Sequence, residues 1–181
     1  MPFKDRAAKG ELSTLFEVEG IPSLVVLDKV GPDGKRKVIN GSARGSVTMS
    51  SISDFPWSPK PYANLSETVE CNGSDINEDT AIIILCEGAD DDEQKEIIET
   101  MAKVAEAKKD GMLFFYATSG AGPVGKVREL CSLKDDGEII MMKLDIPDSG
   151  GFYVADKGTE ISEASILAFM ENSGERQQLK R

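Results

Sequence analysis

The sequence predicts a mixed α/β protein made of one partial domain followed by one complete domain. From residue 79 onward, short apolar runs alternate with amphipathic segments in the order β-α-β-α-β-β-α. The first 54 residues contain only four predicted elements, in the order α-β-β-α. Prolines 56, 59 and 61 favour extended backbone between the two parts, which indicates a stiff linker. We therefore expect a half-domain at 1–54, a proline-rich linker at 55–78, a domain at 79–174 and a tail at 175–181.

The first part begins with a roughly amphipathic segment that ends at Gly20, and glycine is a common helix terminator. Ile21 and Pro22 then open the run SLVVLD, whose continuous hydrophobicity is typical of a buried strand. Because the turn sequence GPDG follows, the charged segment after it is predicted to return as an edge strand. The expected elements are a helix at 4–17, strands at 23–28 and 35–40, and a short helix at 46–53.

The second part has a regular pattern. Its first helix carries apolar residues at helical spacing, and the acidic run at 90–93 complements the positive end of the helix dipole. The strand-helix-strand order implies a parallel, right-handed crossover, whereas the DSGG turn allows the last two strands to pair antiparallel. The expected elements are strands at 80–88, 112–120, 138–146 and 151–156, and helices at 90–110, 122–133 and 161–174.

Five segments of the chain carry a resemblance to a known family. LFEVEGIPSLVVLD, KVINGSARG and FPWSPKP occur in order in the first part, and MLFFYATSG and ISEASILAFMEN follow in the second. Together they resemble the C-terminal part of the nucleoredoxin and tryparedoxin family, within the thioredoxin superfamily. The resemblance implies that 1–54 is the second half of a thioredoxin fold and that 79–174 is a further thioredoxin-like domain.

The resemblance also implies a client-binding site. Members of the family carry a Trp-Cys-x-x-Cys pair ahead of a cis-proline, and Pro22 matches that proline by position. Ile21 would then be the residue whose backbone pairs with an extended client, so Ile21 and Pro22 are the expected substrate-binding residues. The family pattern is broken elsewhere, because the chain has no Cys-x-x-Cys pair. In the second domain GADDDE occupies the strand-to-helix junction, and Gly137-Glu138 stands where a second cis-proline would lie.

Residue usage limits the available chemistry. Histidine is absent, which removes the commonest general base and metal ligand. Cys86 within a strand is expected to be a core thiol, and Cys131 on a short helix a core or half-buried one. Cys71 in a polar loop is the expected exposed, reactive thiol. We expect no catalytic residue, no metal site and no cofactor. Unpaired cysteines without a secretory signal favour a reducing intracellular compartment, the cytoplasm or nucleus first, with an organelle left open.

Charge and hydropathy narrow the choice of partner. A formal net charge of −11 would repel nucleic acid and anionic membranes, so neither is an expected partner. No apolar run approaches the roughly 18 residues of a membrane span, so membrane insertion is not expected.

Two alternative sites are weaker matches to known motifs. GAGPVGKV resembles a phosphate-binding loop, but Val127 stands where a magnesium-binding hydroxyl is needed. The acidic run at 90–93 lacks the alternating ligands and the glycine of a calcium loop.

Two hypotheses about function remain open. In the first, the chain is a thioredoxin-fold protein without the redox dithiol and acts as a protein-binding or assembly module. In the second, it is the C-terminal part of a protein-disulfide reductase whose Cys-x-x-Cys lies upstream of Met1. A two-stranded hairpin with short helices is marginal by itself, so we expect the second domain or another chain to cover strand Leu24–Leu27.

Overall fold

The computed structural model describes residues 5–18, 20–41, 43–49, 52, 55–108 and 111–180. They fall into two compact units, Met1–Pro59 and Lys60–Arg181.

The first unit has the predicted α-β-β-α order. Asp5 caps its first helix by accepting a hydrogen bond from the backbone N of Ala8 at 3.0 Å. The two short strands pair antiparallel, with Val26 opposite Asn40, and Gly34 closes the turn between them at a φ of 73°. The predicted end of the last helix lies outside the described residues. The elements are α1 (Arg6–Leu15), β1 (Val26–Leu27), β2 (Val38–Asn40) and α2 (Ala43–Met49).

The second unit is built on a six-stranded mixed sheet of order β10-β9-β8-β6-β7-β3. Strands β3, β7 and β6 are parallel, and β8, β9 and β10 are each antiparallel to their neighbours. The elements are β3 (Ala63–Asn64), β4 (Glu70–Cys71), β5 (Ser74–Asp75), β6 (Ala81–Leu85), α3 (Asp91–Ala107), β7 (Leu113–Ala117), α4 (Val124–Cys131), β8 (Ile140–Asp145), β9 (Gly151–Val154), α5 (Glu163–Glu171) and β10 (Gln177–Gln178). The predicted β-α-β-α-β-β-α core is confirmed, and the fold is of the thioredoxin-like α/β class.

The central strand of the sheet, β6, is buried on both faces. Because neighbouring side chains on a strand point to opposite faces, Ile83 and Leu85 pack on the side of α4. Ile82 and Ile84 pack on the other side, against α3 and α5. This two-sided burial explains why β6 reads as an uninterrupted apolar run.

Two predicted boundaries are wrong. Residues 55–78 are not a linker, because Trp57 accepts a hydrogen bond from Asn40 within the first unit, at 2.7 Å, and Leu65 is fully buried in the second. The prediction of a free tail at 175–181 is wrong over the described residues 175–180, since Gln177 and Gln178 pair with β9 as strand β10. Both errors have the same cause: strands of two residues are too short to show a hydrophobic period.

Candidate functional site

The expected client-binding residues lie at the entrance to β1. The Ile21–Pro22 peptide bond is cis, and the Ile21 side chain is 86% exposed. The hydroxyl of Ser23 donates to the carbonyl of Gly20 across this bend. Among the described residues, neither the backbone N–H nor the C=O of Ile21 forms a hydrogen bond. The bend therefore presents one apolar side chain and two free backbone groups to solvent.

Apolar exposure is concentrated in the first unit. Within the described residues, all nine large apolar side chains that are exposed belong to this unit and none to the second. Val26 is buried, but Leu24 on the approach to the same strand is 39% exposed. Coverage of the strand by another chain stays a prediction. The nine are Leu12, Leu15, Ile21, Leu24, Val30, Val38, Val47, Ile52 and Phe55.

The junction between β6 and α3 contains residues that cap the helix and no thiol. The carboxylate of Asp90 accepts hydrogen bonds from the backbone N of Asp92 and of Glu93, at 3.1 and 2.9 Å. The side-chain amide of Gln94 donates to the carbonyl of Cys86 at 3.0 Å. These bonds fix the turn. No cysteine lies between Glu87 and Glu93, so the junction contains no group for thiol–disulfide exchange.

The loop that precedes β8 packs directly on this junction. A Cβ added to Gly88 would lie 2.1 Å from the carbonyl oxygen of Gly137. The two backbones are therefore in contact at the position where the family pattern would place a cis-proline beside a dithiol. Only glycine permits this approach.

A buried ion pair lies beside the junction. Nε of Arg128, on α4, is 2.7 Å from Oε1 of Glu87, and both side chains are less than 10% exposed. Arg128 also donates to the carbonyl of Lys134. The second carboxylate oxygen of Glu87 is buried and has no hydrogen-bond partner among the described residues. Sequence reasoning missed this pair, since its members are 41 residues apart and match no local motif.

The three cysteines are free and buried. Burial, and secondarily the negative charge of Glu87, raises the pKa of Cys86 to about 11. Burial raises the pKa of Cys131 to about 12. Both residues are core thiols, as predicted. At neutral pH they are protonated and are not nucleophiles.

The prediction that Cys71 is exposed is wrong. It lies on β4 of the small β4–β5 hairpin, which packs on the sheet, and its residue surface is 4% exposed. Its thiol donates to the carbonyl of Phe114 at 3.6 Å, and burial raises its pKa. The polar sequence around Cys71 misled the prediction because the hairpin turns one face to solvent and the other to the core.

The described part of the chain shows no cluster of three or more acidic, cysteine or histidine side chains arranged to hold a metal ion. Within the same residues, no helix is both long and apolar enough to span a bilayer.

The chain is similar in sequence to proteins that are already known. No protein-family model matches it. Nucleoredoxin from Homo sapiens is 27% identical over 181 residues, which cover 95% of this chain, and nucleoredoxin from Bos taurus is 28% identical over 185 residues, again covering 95%. The chain is therefore similar in sequence to nucleoredoxins over almost its whole length. It spans 39% of the length of both relatives.

Two solved structures are similar to this nucleoredoxin-like chain. The bb fragment of ERp72 matches with a TM-score of 0.46 and 14% identity, over 95% of this chain and 75% of that one. Full-length ERdj5 matches with a TM-score of 0.39 and 11% identity, over 92% of this chain and 24% of that one.

Proposed function

We propose that this nucleoredoxin-like chain binds extended segments of client proteins at Ile21 and Pro22 and performs no thiol–disulfide exchange of its own. The observation that supports the proposal is the bend at Ile21, where an exposed apolar side chain stands beside an unpaired N–H and C=O. The buried, protonated state of the three cysteines supports the second part of the proposal.

The binding mode would be strand addition. An extended peptide pairs its backbone with the free N–H and C=O of Ile21, and its side chains contact Ile21 and Leu24. Backbone pairing is independent of the client's sequence, so we expect the site to accept many apolar segments. Such a role needs neither a cofactor nor a metal.

A matched pair of variants tests the site. The probe is insulin B chain with its thiols carboxymethylated, an extended peptide that cannot form disulfides, titrated calorimetrically into the protein. Ile21→Ser should weaken binding by about tenfold, as expected for truncation of a central interface residue. Ile52→Ser is the control, because Ile52 is also 86% exposed. Equal affinities of the parent and Ile21→Ser, or an equal loss in both variants, would overturn the proposal.

A second function is favoured by one observation. All nine exposed large apolar side chains among the described residues lie in the first unit, and in this alternative the other half of a thioredoxin fold would cover part of that surface. In this alternative the chain is the C-terminal part of a protein-disulfide reductase whose Cys-x-x-Cys lies upstream of Met1. Intact mass spectrometry of the protein from its native source, with an insulin-reduction assay of the same material, tests it. A mass above 19.6 kDa together with reductase activity supports the alternative, and a mass of 19.6 kDa without activity removes it.

The cellular setting follows from the same proposal. Three free, buried thiols are compatible with a reducing compartment, so we propose the cytoplasm or nucleus first, with an organelle left open. Its partner would be another protein and not nucleic acid, because the net charge is −11. Fractionation of cells that express the tagged native gene product tests the compartment, and recovery in the secreted fraction would contradict it.

A further inference from the structure

The second unit contains a groove separate from Ile21. Three segments form it: the first turns of α3, the loop before β8, and the loop between β9 and α5. Its volume is about 730 Å³, which is within the range of peptide- and ligand-binding clefts. The lining residues are Glu93, Glu96, Ile97, Glu138, Ile139, Lys157, Gly158, Thr159, Glu160 and Ile161.

Three isoleucines are among the residues that line the groove, and Ile139 and Ile161 provide most of its exposed apolar surface. Ile97 belongs to the core beneath α3 and is 5% exposed, and Ile139 and Ile161 are half-buried. The loop that carries Ile139 is held against the β6–α3 junction by the contact between Gly88 and Gly137. The groove is therefore formed by packed elements.

The rim of the groove is acidic. Four glutamates and one lysine line it, a net of three negative charges. Lys157 pairs with Glu138 at 2.6 Å. Among the described residues, the carboxylates of Glu93, Glu96 and Glu160 have no cationic partner. Three unpaired carboxylates spread around an apolar surface are complementary to a chain with several cationic groups and an apolar side chain between them.

We propose that this groove docks a cationic peptide segment of a partner protein. Lysine or arginine side chains of the segment pair with Glu93, Glu96 and Glu160, and an intervening aliphatic side chain packs on Ile97, Ile139 and Ile161. The site selects its ligand by charge, whereas the bend at Ile21 selects for extended backbone. The two sites lie in different units, so either proposal can fail while the other stands.

The test uses the full chain and two fluorescein-labelled peptides. The cationic probe has the sequence Lys-Ile-Arg-Val-Lys, and its acidic counterpart, Glu-Ile-Glu-Val-Glu, has the same apolar residues. Fluorescence anisotropy should show saturable binding of the cationic peptide and none of the acidic one. Raising the salt concentration from about 0.05 M to about 0.5 M should weaken binding severalfold, because exposed charge pairs are screened.

Two triple variants locate the binding site. Glu93→Gln, Glu96→Gln and Glu160→Gln together should raise the Kd for the cationic peptide about tenfold, since each exposed charge pair contributes a few-fold at most. The control is Glu99→Gln, Glu171→Gln and Glu175→Gln, which removes the same charge from exposed positions outside the groove. Its Kd should change less than twofold.

The proposal is overturned if the two triple variants lose affinity equally, because binding would then reflect net charge alone. It is also overturned if the acidic peptide binds as tightly as the cationic one, or if neither binds. Equal thermal unfolding temperatures of the parent and both variants would exclude misfolding as the cause of a loss. If the groove variant unfolds at a lower temperature than the parent, two other measurements decide. One is the Kd of Ile139→Ser for the cationic peptide, and the other is the change in the chemical shifts of Ile97 and Ile161 when the peptide is added. No shift change at those residues contradicts the proposal.

Discussion

Gly88 and Gly137 lie in backbone contact, so closely that a Cβ on Gly88 would stand 2.1 Å from the Gly137 carbonyl oxygen. Because the atoms that the added Cβ would meet belong to the backbone of Gly137, no flexible side chain can move away to relieve the clash. Gly88→Ala should therefore lower the free energy of unfolding by about 1–3 kcal/mol, the usual cost of overpacking. Urea unfolding measures it. Gly125→Ala is the control, because its nearest neighbour would lie at 3.8 Å. It should be neutral or slightly stabilising, and an equal loss there would contradict the account.

The buried pair of Arg128 and Glu87 gives a second prediction. Arg128→Met leaves a buried carboxylate without its cation, which should destabilise the fold by about 3–5 kcal/mol. Arg128→Met with Glu87→Gln removes both charges and should recover a substantial part of that loss. The free energies of unfolding of the single and double variants, compared with that of the parent, test this prediction.

The exposed pair of Lys126 and Glu129 on the same helix is the matched control. Its nitrogen and oxygen are 2.8 Å apart, but both side chains are more than 60% exposed. Lys126→Ala should cost far less than Arg128→Met, because solvent screens an exposed pair. A loss as large as that of Arg128→Met would show that burial of the pair is not the cause.

The raised thiol pKa values predict loss of stability at alkaline pH. The pKa of Cys131 is about 12 in the folded chain against 9.0 for a free thiol, so between these values the unfolded state releases a proton that the folded state holds. Stability from this group is complete below about pH 9 and declines as pH rises towards 12. Urea unfolding at about pH 8 and about pH 11 should show a smaller decline in Cys131→Ala than in the parent. An identical decline in Cys131→Ala and in the parent would contradict the assignment of a raised pKa to Cys131.

The same burial predicts unreactive thiols. In the native protein at neutral pH, Cys71, Cys86 and Cys131 should react with a disulfide-forming reagent many times more slowly than after unfolding in urea. Mass spectrometry of the labelled peptides measures each site. Rapid native labelling of Cys71 would restore the sequence-based prediction that this thiol is exposed.

Long elements were predictable from the sequence because their own residues determine them. Strand β6 is a continuous apolar run buried on both faces. Helix α3 carries its cap, Asp90, and its apolar stripe in one segment of seventeen helical residues. Propensity, periodicity and capping agree there, and agreement across these levels makes a prediction reliable.

The remaining features depend on partners distant in sequence. Strand β3 has two residues, and it exists because Ala63 and Asn64 pair with β7. Cys71 is buried because its hairpin packs on the sheet. The Glu87–Arg128 pair and the acidic groove each join segments separated by tens of residues. At Ile21 and Pro22 the position followed from the resemblance, and the structure adds the exposure and the free backbone groups.

Hydrogen–deuterium exchange at the Ile21 bend tests the central claim most directly. Exchange of residues 20–25 would be followed with and without carboxymethylated insulin B chain, and the turn at residues 31–36 would serve as the internal reference. Strand addition predicts slower exchange at 20–25, because the Ile21 N–H acquires an acceptor, with no change at 31–36. Unchanged exchange at 20–25 under saturating peptide would contradict client binding at Ile21 and Pro22.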